Sequence, residues 1–539
     1  MNPAAYAPSL AISRENAATA VLTNPDILEL ILEDLAVGYV WEVVPEAVVE
    51  SRRVLAAAAL TCRAWMEPAL DRLWRSLDKL FPLFRLLPAF YRSDTTFVLR
   101  GRVSEEDWGR FDWYAGRVKS FCYTRDPDSL DIAMHVYFRI AQLRRQPLLP
   151  ALRHLRCPHI SQDDFLISSI CLFLTPSLKV LDFEKITGVE DKLIGTFLHT
   201  LLCEEARIER VMLVGEGLTK DTLGYLGLCR SLRSLVVTGM GRYVDLEIVR
   251  SLGRIPQLEE LELDLEESGL LNATESDVVA NSSHGGAEGE LGYRELTSLE
   301  FIAPLSFVKT FVMQIGATQL RHIGFESSLE GTVDRRDLLV GIVRRWKDSL
   351  TFIRMVHHSD GGSEDESTPP GITMDTISPL LRLSKLTHFE LEGYSLELRD
   401  ANVTQMAQAW PQIHTLHLPY MDSGTQRPTV ASLQTLSLSC MELRHLTIPL
   451  DTNDFLAVAE APISLHRLHM LTAATPDEPW ELWRSMRLAR AVDHLFPFLA
   501  KVVSSSGERE GGRWSQAHHL VKMCQSVRTE AMELYRRNT

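Results

Sequence analysis

The sequence predicts an α/β chain made of a short N-terminal helical segment, a long solenoid of strand–helix repeats and a helical C-terminal cap. Three observations predict it. A six-residue apolar pattern, L-x-x-L-x-L, recurs twelve times between Leu152 and Met470, and burial of every second residue marks a short strand. Residues 21–90 instead carry apolar side chains at i, i+4 spacing, which marks helices. The composition, 45% hydrophobic and 24% charged, is globular, and 539 residues give room for three or four ordinary domains or one long array with a cap.

Residues 1–20 read as a flexible N-terminus. In the helical segment 21–90, Asn24-Pro25-Asp26 supplies an N-cap, a proline for the first helical position and an acid for the first turn. Ile27, Ile31 and Leu35 form an apolar stripe flanked by Leu28 and Leu32. A loop follows from Ala36 to Ser51, containing Gly38, Trp41 and Pro45. An Ala-rich second helix is expected over Val54–Met66, ending before Pro68, and a third places Leu70, Leu73, Trp74, Leu77 and Leu80 on one side. Helices this short bury little core alone, so the segment must lean on a partner or on the repeats.

Residues 91–475 carry the repeats. The template occurs as Leu152/Leu155/Cys157, Leu178/Leu181/Phe183, Ile208/Val211/Leu213, Leu232/Leu235/Val237 and Leu258/Leu261/Leu263. It continues as Leu296/Leu299/Phe301, Leu320/Ile323/Phe325, Leu350/Ile353/Met355 and Leu386/Phe389/Leu391, then Ile413/Leu416/Leu418, Leu443/Leu446/Ile448 and Leu465/Leu468/Met470. Most steps are 22 to 30 residues, the period of leucine-rich repeats, which stack into an α/β horseshoe. An extra match, Leu433/Leu436/Leu438, sits ten residues before its successor and reads as the preceding helix. Two long steps hold expected disordered insertions, near 266–290 and near 359–371. The sequons at Asn272 and Asn281 read as chance matches in a polar loop. Ser363 with Glu366 suits an acidophilic kinase, against the plainer reading of an unmodified loop.

Residues 476–539 read as a cap of two helices separated by Ser504–Gly512, with Arg484, Arg487 and Arg490 along one face. Trp483, Leu488, Leu495 and Phe498 would form its buried side.

The net charge of −15 argues against nucleic acid and anionic membranes as partners. Eight cysteines, the nearest pair (Cys157 and Cys171) fourteen positions apart, make neither a disulfide framework nor a zinc ribbon. There is no basic start followed by an apolar stretch and no apolar run near the roughly 18 residues that span a bilayer. A soluble, reduced protein of the cytosol or nucleus is therefore expected. HExxH, GxSxG, GxxxxGK and GxGxxG are all missing. No catalytic residue, metal or cofactor is assigned, and a binding protein is expected in place of an enzyme.

The stretch Asn24–Leu35, with Ala59-Leu-Thr-Cys-Arg-Ala-Trp65 and Leu73-Trp74, resembles an F-box. The remainder resembles the F-box and leucine-rich-repeat proteins of mushroom-forming fungi, through Phe97-Val-Leu-Arg-Gly101, Ala407-Gln-Ala-Trp-Pro411, Leu443-Arg-His-Leu-Thr-Ile-Pro449 and Leu495-Phe-Pro497. The resemblance implies docking on a Skp-type adaptor, and through it a cullin–RING ubiquitin ligase, with a protein substrate held by the repeats. Carried over by position, the adaptor-binding residues are Pro25, Ile27, Leu28, Ile31, Leu32, Leu60, Cys62, Trp65, Leu73 and Trp74. The alternative is that these residues only cap the first repeat. Asn24 stands where the family has Leu, and the loop after the first helix is longer than usual; both put adaptor binding in doubt. The runner-up function is a repeat scaffold whose F-box has lost its adaptor.

Substrate contacts are expected from outward strand residues: Glu260, Glu262, Asp264 and Glu266 as an acidic ladder, then His388, Glu390, His417, His445, Arg467 and His469. Strands about 4.8 Å apart would gather the histidines. A mixed polar surface sensitive to pH, a metal site and an ordinary solvated face are the three readings.

Overall fold

The computed structural model describes residues 22, 24–39, 41–123, 132–144, 146–158, 167–239, 246–265, 291–327, 335–357, 370–419, 427–451, 464–474, 482–504 and 513–538. The N-terminal residues 1–20, the insertion at 266–290, both sequons, and Ser363 with Glu366 lie outside these. Of the second expected insertion, 359–371, only Pro370 and Gly371 are described. Two compact units divide the chain, residues 1–243 and 244–539.

The first unit opens with helices α1 (Pro25–Leu35), α2 (Pro45–Ala59) and α3 (Arg63–Leu73). Asn24 caps α1 through Oδ1, which accepts the Asp26 amide at 2.9 Å, so the expected cap forms. The expected bounds of the next two helices do not. Pro45 at the first helical position, with Glu46 in the first turn, starts α2 nine residues before Val54. The loop is therefore Ala36–Val44, not Ala36–Ser51. Pro68 lies inside α3 instead of ending a helix; it deletes one main-chain donor, and the helix still reaches Leu73. Leu32, Leu55, Ala58 and Ala69 form the core of these helices.

The strands of this unit are β1 (Ser76–Leu77), β2 (Phe90–Ser93), β3 (Thr96–Leu99), β4 (Ser120–Cys122), β5 (His154–Cys157), β6 (Val180–Phe183), β7 (Arg210–Val214) and β8 (Ser234–Thr238). β2 and β3 form an antiparallel hairpin. The other six pair in parallel, in chain order. The register aligns Leu77, Phe121, Leu155, Leu181, Val211 and Leu235 in one inward row. All six are buried, each contributing about 1.5–3 kcal/mol. Leu77 was expected on a helix and Phe121 had no expected role. The first two strands of this sheet lie outside the leucine template because Trp74 and Lys79 flank Leu77, and Val118 and Tyr123 flank Phe121.

The second unit holds β9 (Glu260–Asp264), β10 (Ser298–Ile302), β11 (His322–Ser327), β12 (Phe352–His357), β13 (Gly371–Ile372), β14 (His388–Glu392), β15 (Ser395–Leu396), β16 (Thr415–His417), β17 (His445–Pro449), β18 (Met470–Ala474) and β19 (Lys501–Ser504). β13 pairs only with β15, and the other nine form a parallel sheet in chain order. Leu261, Leu299, Ile323, Ile353, Phe389, Leu416, Leu446, Leu471 and Val502 make its inward row. Both units are thus α/β leucine-rich-repeat arrays, and every template triplet from Leu152 to Leu443 begins on the turn into a strand.

Two expectations fail here. The last triplet is Leu468/Leu471/Ala473, three residues later than expected: Leu465 is 77% exposed, whereas Leu468 and Leu471 are fully buried. His466 is the reason. Its ring is buried, with Nε2 2.8 Å from the Cys440 carbonyl and Nδ1 accepting the Leu468 amide at 3.0 Å, which pins the turn before the strand. The C-terminal region is also not purely helical, because β19 separates the helices Leu482–Leu495 and Arg513–Asn538 and pairs with β18. Leu488 and Leu495 are buried there as expected, but Trp483 and Phe498 are exposed. The helix Val430–Ser439 does carry the extra match Leu433/Leu436/Leu438.

The connections are asymmetric. From helix back to strand they are five to seven residues long at Leu226–Ser234, Leu252–Glu260, Gln314–His322, Trp346–Phe352, Ala409–Thr415 and Ser439–His445. The first template residue, a leucine in five of them and Ile413 in the other, sits buried in each of these returns. From strand onward the length is free: two residues separate Ile302 from Leu305, and thirteen separate His357 from Gly371. Neighbouring repeats are also tied by side chains. Trp346 and Trp410 donate their indole N–H to the Ala317 and Leu380 carbonyls. Asp400 accepts from the Thr429 amide (2.7 Å), the Thr429 hydroxyl (2.8 Å) and the Ser432 hydroxyl (2.5 Å).

Candidate protein-binding surfaces

On the N-terminal helices the expected adaptor-binding residues divide into two groups. Leu28 and Leu32 are interior, and Trp65 and Leu73 pack on the same core. The Trp65 Nε1 also donates to the Leu22 carbonyl at 3.0 Å, and Trp74 lies 4.6 Å from Tyr114. Pro25, Leu60 and Cys62 are exposed, Leu60 at 87%, and Ile27 and Ile31 are half-buried. Leu30, 71% exposed, was not expected here; it joins Ile27 and Ile31 at i, i+3, i+4, a single helix face. That spacing was present in the sequence. On another side of α1, Arg72 pairs with Glu29 and Glu33, and Arg75 with Glu33. The carboxylates are exposed, so each pair contributes less than about 1 kcal/mol.

The open sheet face of the first unit is covered near its start. Tyr39 and Trp41, from the α1–α2 loop, stack on each other at 4.7 Å and both meet the His154 ring edge-on at 5.0 Å. His154 Nε2 lies 2.6 Å from Asp182 Oδ2. Ser76, Ser120 and His154 are buried in one outward row, and Asp182, in the next row, is buried as well.

The open face of the second unit carries three outward rows. Its first outward row is Glu260, Ser298, His322, Phe352, His388, Thr415, His445 and Met470, and its second is Glu262, Glu300, Gly324, Arg354, Glu390, His417, Thr447 and Thr472. Asp264, Ile302, Glu326, Val356 and Glu392 make a third. The sheet therefore places Glu260, Glu262, Asp264, His388, Glu390, His417 and His445 on one face. His469 lies just outside it, one residue before β18, with its ring 5.9 Å from His445. The shifted register puts Met470 where an outward His469 was expected, and Arg467 precedes the strand as well.

The histidines do not converge. His322 stacks on Phe352 at 3.8 Å, Phe352 on His388 at 5.5 Å, and His388 on His414 at 5.9 Å, giving an aromatic row. Among the described residues no group of three or more His, Cys, Asp or Glu could hold a metal ion. Burial, then the nearby His414, pushes His388 below the usual histidine range. Burial does the same to His417, opposed by Glu392 and Glu390. Both rings are therefore neutral donor–acceptors near pH 7.

Sequence reasoning missed the middle of this face. Gly324 removes a side chain from the second row and leaves a hollow of about 140 Å³, walled by Glu262, Glu300, Glu326 and Arg354 over Phe301 and Phe325. His322 Nε2 lies 2.7 Å from Glu300 Oε1, and this hydrogen bond holds the Glu300 carboxyl below the usual range. Burial, then the like charge of Glu300, raises Glu262. The signal was available: a glycine at an outward template position between a strand bearing Glu300 and one bearing Arg354.

No family model matches the chain, and no curated protein matches it either. Among solved structures, 55 chains match. An internalin of Listeria monocytogenes is 12% identical over 66% of this chain and 76% of its own, with a TM-score of 0.32. Rad7, in the yeast Rad7–Elc1 complex, is 14% identical over 76% of this chain and 93% of its own, at 0.33. A leucine-rich-repeat protein of Leptospira interrogans is 11% identical over 74% and 86%, at 0.34.

Proposed function

We propose that this protein is a substrate receptor of a ubiquitin ligase. Its N-terminal helices dock on a Skp-type adaptor bound to a cullin, and its repeats hold a protein substrate. It makes no bond itself but brings the substrate near a charged ubiquitin carrier, a proximity effect. The observation that supports this reading is the outward apolar face Ile27, Leu30 and Ile31, with Leu60 exposed at the end of α2, on helices whose core is already filled by Leu32, Leu55, Ala58 and Ala69. An apolar face that a helical unit does not use for its own packing suits a partner. The loop Ala36–Val44 is shorter than the sequence suggested. The second reading, a repeat scaffold without an adaptor, keeps the same substrate surface. Action in the cytosol or nucleus belongs to the same proposal.

Co-purification of the full chain with a recombinant Skp-type adaptor tests it. Leu30→Asp/Leu60→Asp is the control, because both side chains are exposed and neither change touches the core. A stoichiometric complex that the control loses supports the receptor. A folded wild-type chain that captures no adaptor at micromolar concentration leaves the scaffold.

A further inference from the structure

We infer that the open face of the second unit binds an extended, basic segment of a partner protein, with one lysine or arginine side chain seated in the hollow at Gly324. This rests on the reading of the repeats as a substrate-holding surface and names the chemistry that surface selects.

Charge, register and shape support it. The three outward rows from β9 to β14 carry Glu260, Glu262, Asp264, Glu300, Glu326, Glu390 and Glu392 against Arg354 as the one arginine or lysine. Within the hollow three carboxylates face one guanidinium. Glu262 and Glu300 are directly paired across β9 and β10, an arrangement of like charges that costs stability in a sheet. His322 hydrogen-bonds Glu300. Glu262 has no such hydrogen bond among the described residues; burial, then Glu300, raises its carboxyl, and Arg354 opposes them only in part. A cation entering the hollow supplies what Glu262 lacks.

The shape is preformed. A Cβ on Gly324 would stand 3.2 Å from Glu300 Cγ, so the glutamate already leans over the space a side chain would fill. The His322–Phe352–His388 row beside it offers flat aromatic surface to the aliphatic stem of a long basic side chain. A second acidic pair on β14, Glu392 and Glu390 (the latter 3.7 Å from Arg354), lies two strand steps from Gly324 on β11. At about 4.8 Å per step that is about 10 Å, the reach of three residues of extended chain. The favoured segment therefore carries basic residues at i and i+3.

Fluorescence anisotropy of the full chain with a labelled dodecamer of alternating lysine and serine tests the inference, beside a glutamate–serine dodecamer. The expected result is saturable, salt-sensitive binding of the lysine peptide only. Glu262→Gln/Glu300→Gln/Glu326→Gln should weaken it at least tenfold. Gly324→Val, which keeps every charge and fills the hollow, should also weaken it at least tenfold. Glu204→Gln/Glu205→Gln/Glu216→Gln removes three exposed acids from the first unit and should leave binding within twofold. Equal weakening by that control, unchanged binding in Gly324→Val, or no binding by the wild type would each overturn the inference. Adaptor capture by the Glu262/Glu300/Glu326 variant should be intact, so loss of the adaptor reading shows separately.

Discussion

His466 is the residue whose protonation should cost the second unit most. Its Nδ1 accepts the Leu468 amide and its Nε2 faces the Cys440 carbonyl, so both bonds form only in the neutral tautomer with the proton on Nε2. Burial lowers its tendency to protonate, opposed by the Cys440 contact. The sign follows from linkage. A base whose folded value lies below its unfolded value of about 6.5 takes up more protons when unfolded, so stability falls as pH drops through that window. One such group sets a limiting slope of about 1.4 kcal/mol per pH unit below pH 6.5. His466→Asn keeps an acceptor near Nδ1 but cannot ionise. Its slope from pH 6.5 to 5 should be shallower than wild type by up to that amount. His466→Ala orphans the Leu468 amide and loses the edge-on contact with Phe496 at 5.1 Å, a cost of about 1–3 kcal/mol plus about 0.5–1.5 kcal/mol. Hydrogen exchange of the peptide 464–474 at pH 7.5, 6.5 and 5 reads the local stability directly. Identical pH dependence in wild type and His466→Asn would refute this account of the turn.

Three other outcomes are expected. Gly393 adopts φ +73°, and a Cβ there would sit 1.9 Å from the His357 carbonyl oxygen. Gly393→Ala should therefore cost more than the roughly 1–2 kcal/mol of the left-handed conformation alone, seen as an earlier thermal transition. Asp400→Ala removes three hydrogen bonds to the next helix start and should destabilise by about 2–4 kcal/mol, with Asp400→Asn intermediate, as read by urea denaturation. If substrate binding uses the neutral rings of His388 and His417, His417→Ala/His445→Ala should change the affinity of an identified substrate between pH 6 and 8; an unchanged affinity in isothermal titration would remove the histidines from the surface.

The repeat register was largely legible because a buried leucine on each return and two more on each strand leave a triplet that polar solvent-facing residues cannot mimic. It failed where another residue did the leucine's task. His466 supplies by hydrogen bonding the anchoring that Leu465 was expected to give by burial, and the strand moved three residues. It failed again at β1 and β4, where Trp74 and Lys79, and Val118 and Tyr123, stand at the template's leucine positions around Leu77 and Phe121. The helix bounds were misread because Pro45 was placed in a loop and Pro68 was taken as a stop; Pro45 is a start and Pro68 is tolerated within the helix. At the surfaces, the acidic ladder of β9 was visible, whereas the hollow was not, because it depends on Gly324 lying between Glu300 and Arg354. Family position alone assigned Leu28 and Leu32 to the adaptor and passed over Leu30, which only the packing of α1 distinguishes.

The unequal connections have a consequence for how this chain can change. Lengthening the link after a strand leaves the inward leucines in register, and doubling a flexible loop costs only about 0.6 kcal/mol. One residue added between a return leucine such as Leu386 and its strand would turn the whole strand over and bring His388 and Glu390 into the core. Novelty can therefore accumulate at one rim of the sheet only. Reporter tags, protease sites or grafted recognition loops have natural entry points after Asp264 and after His357.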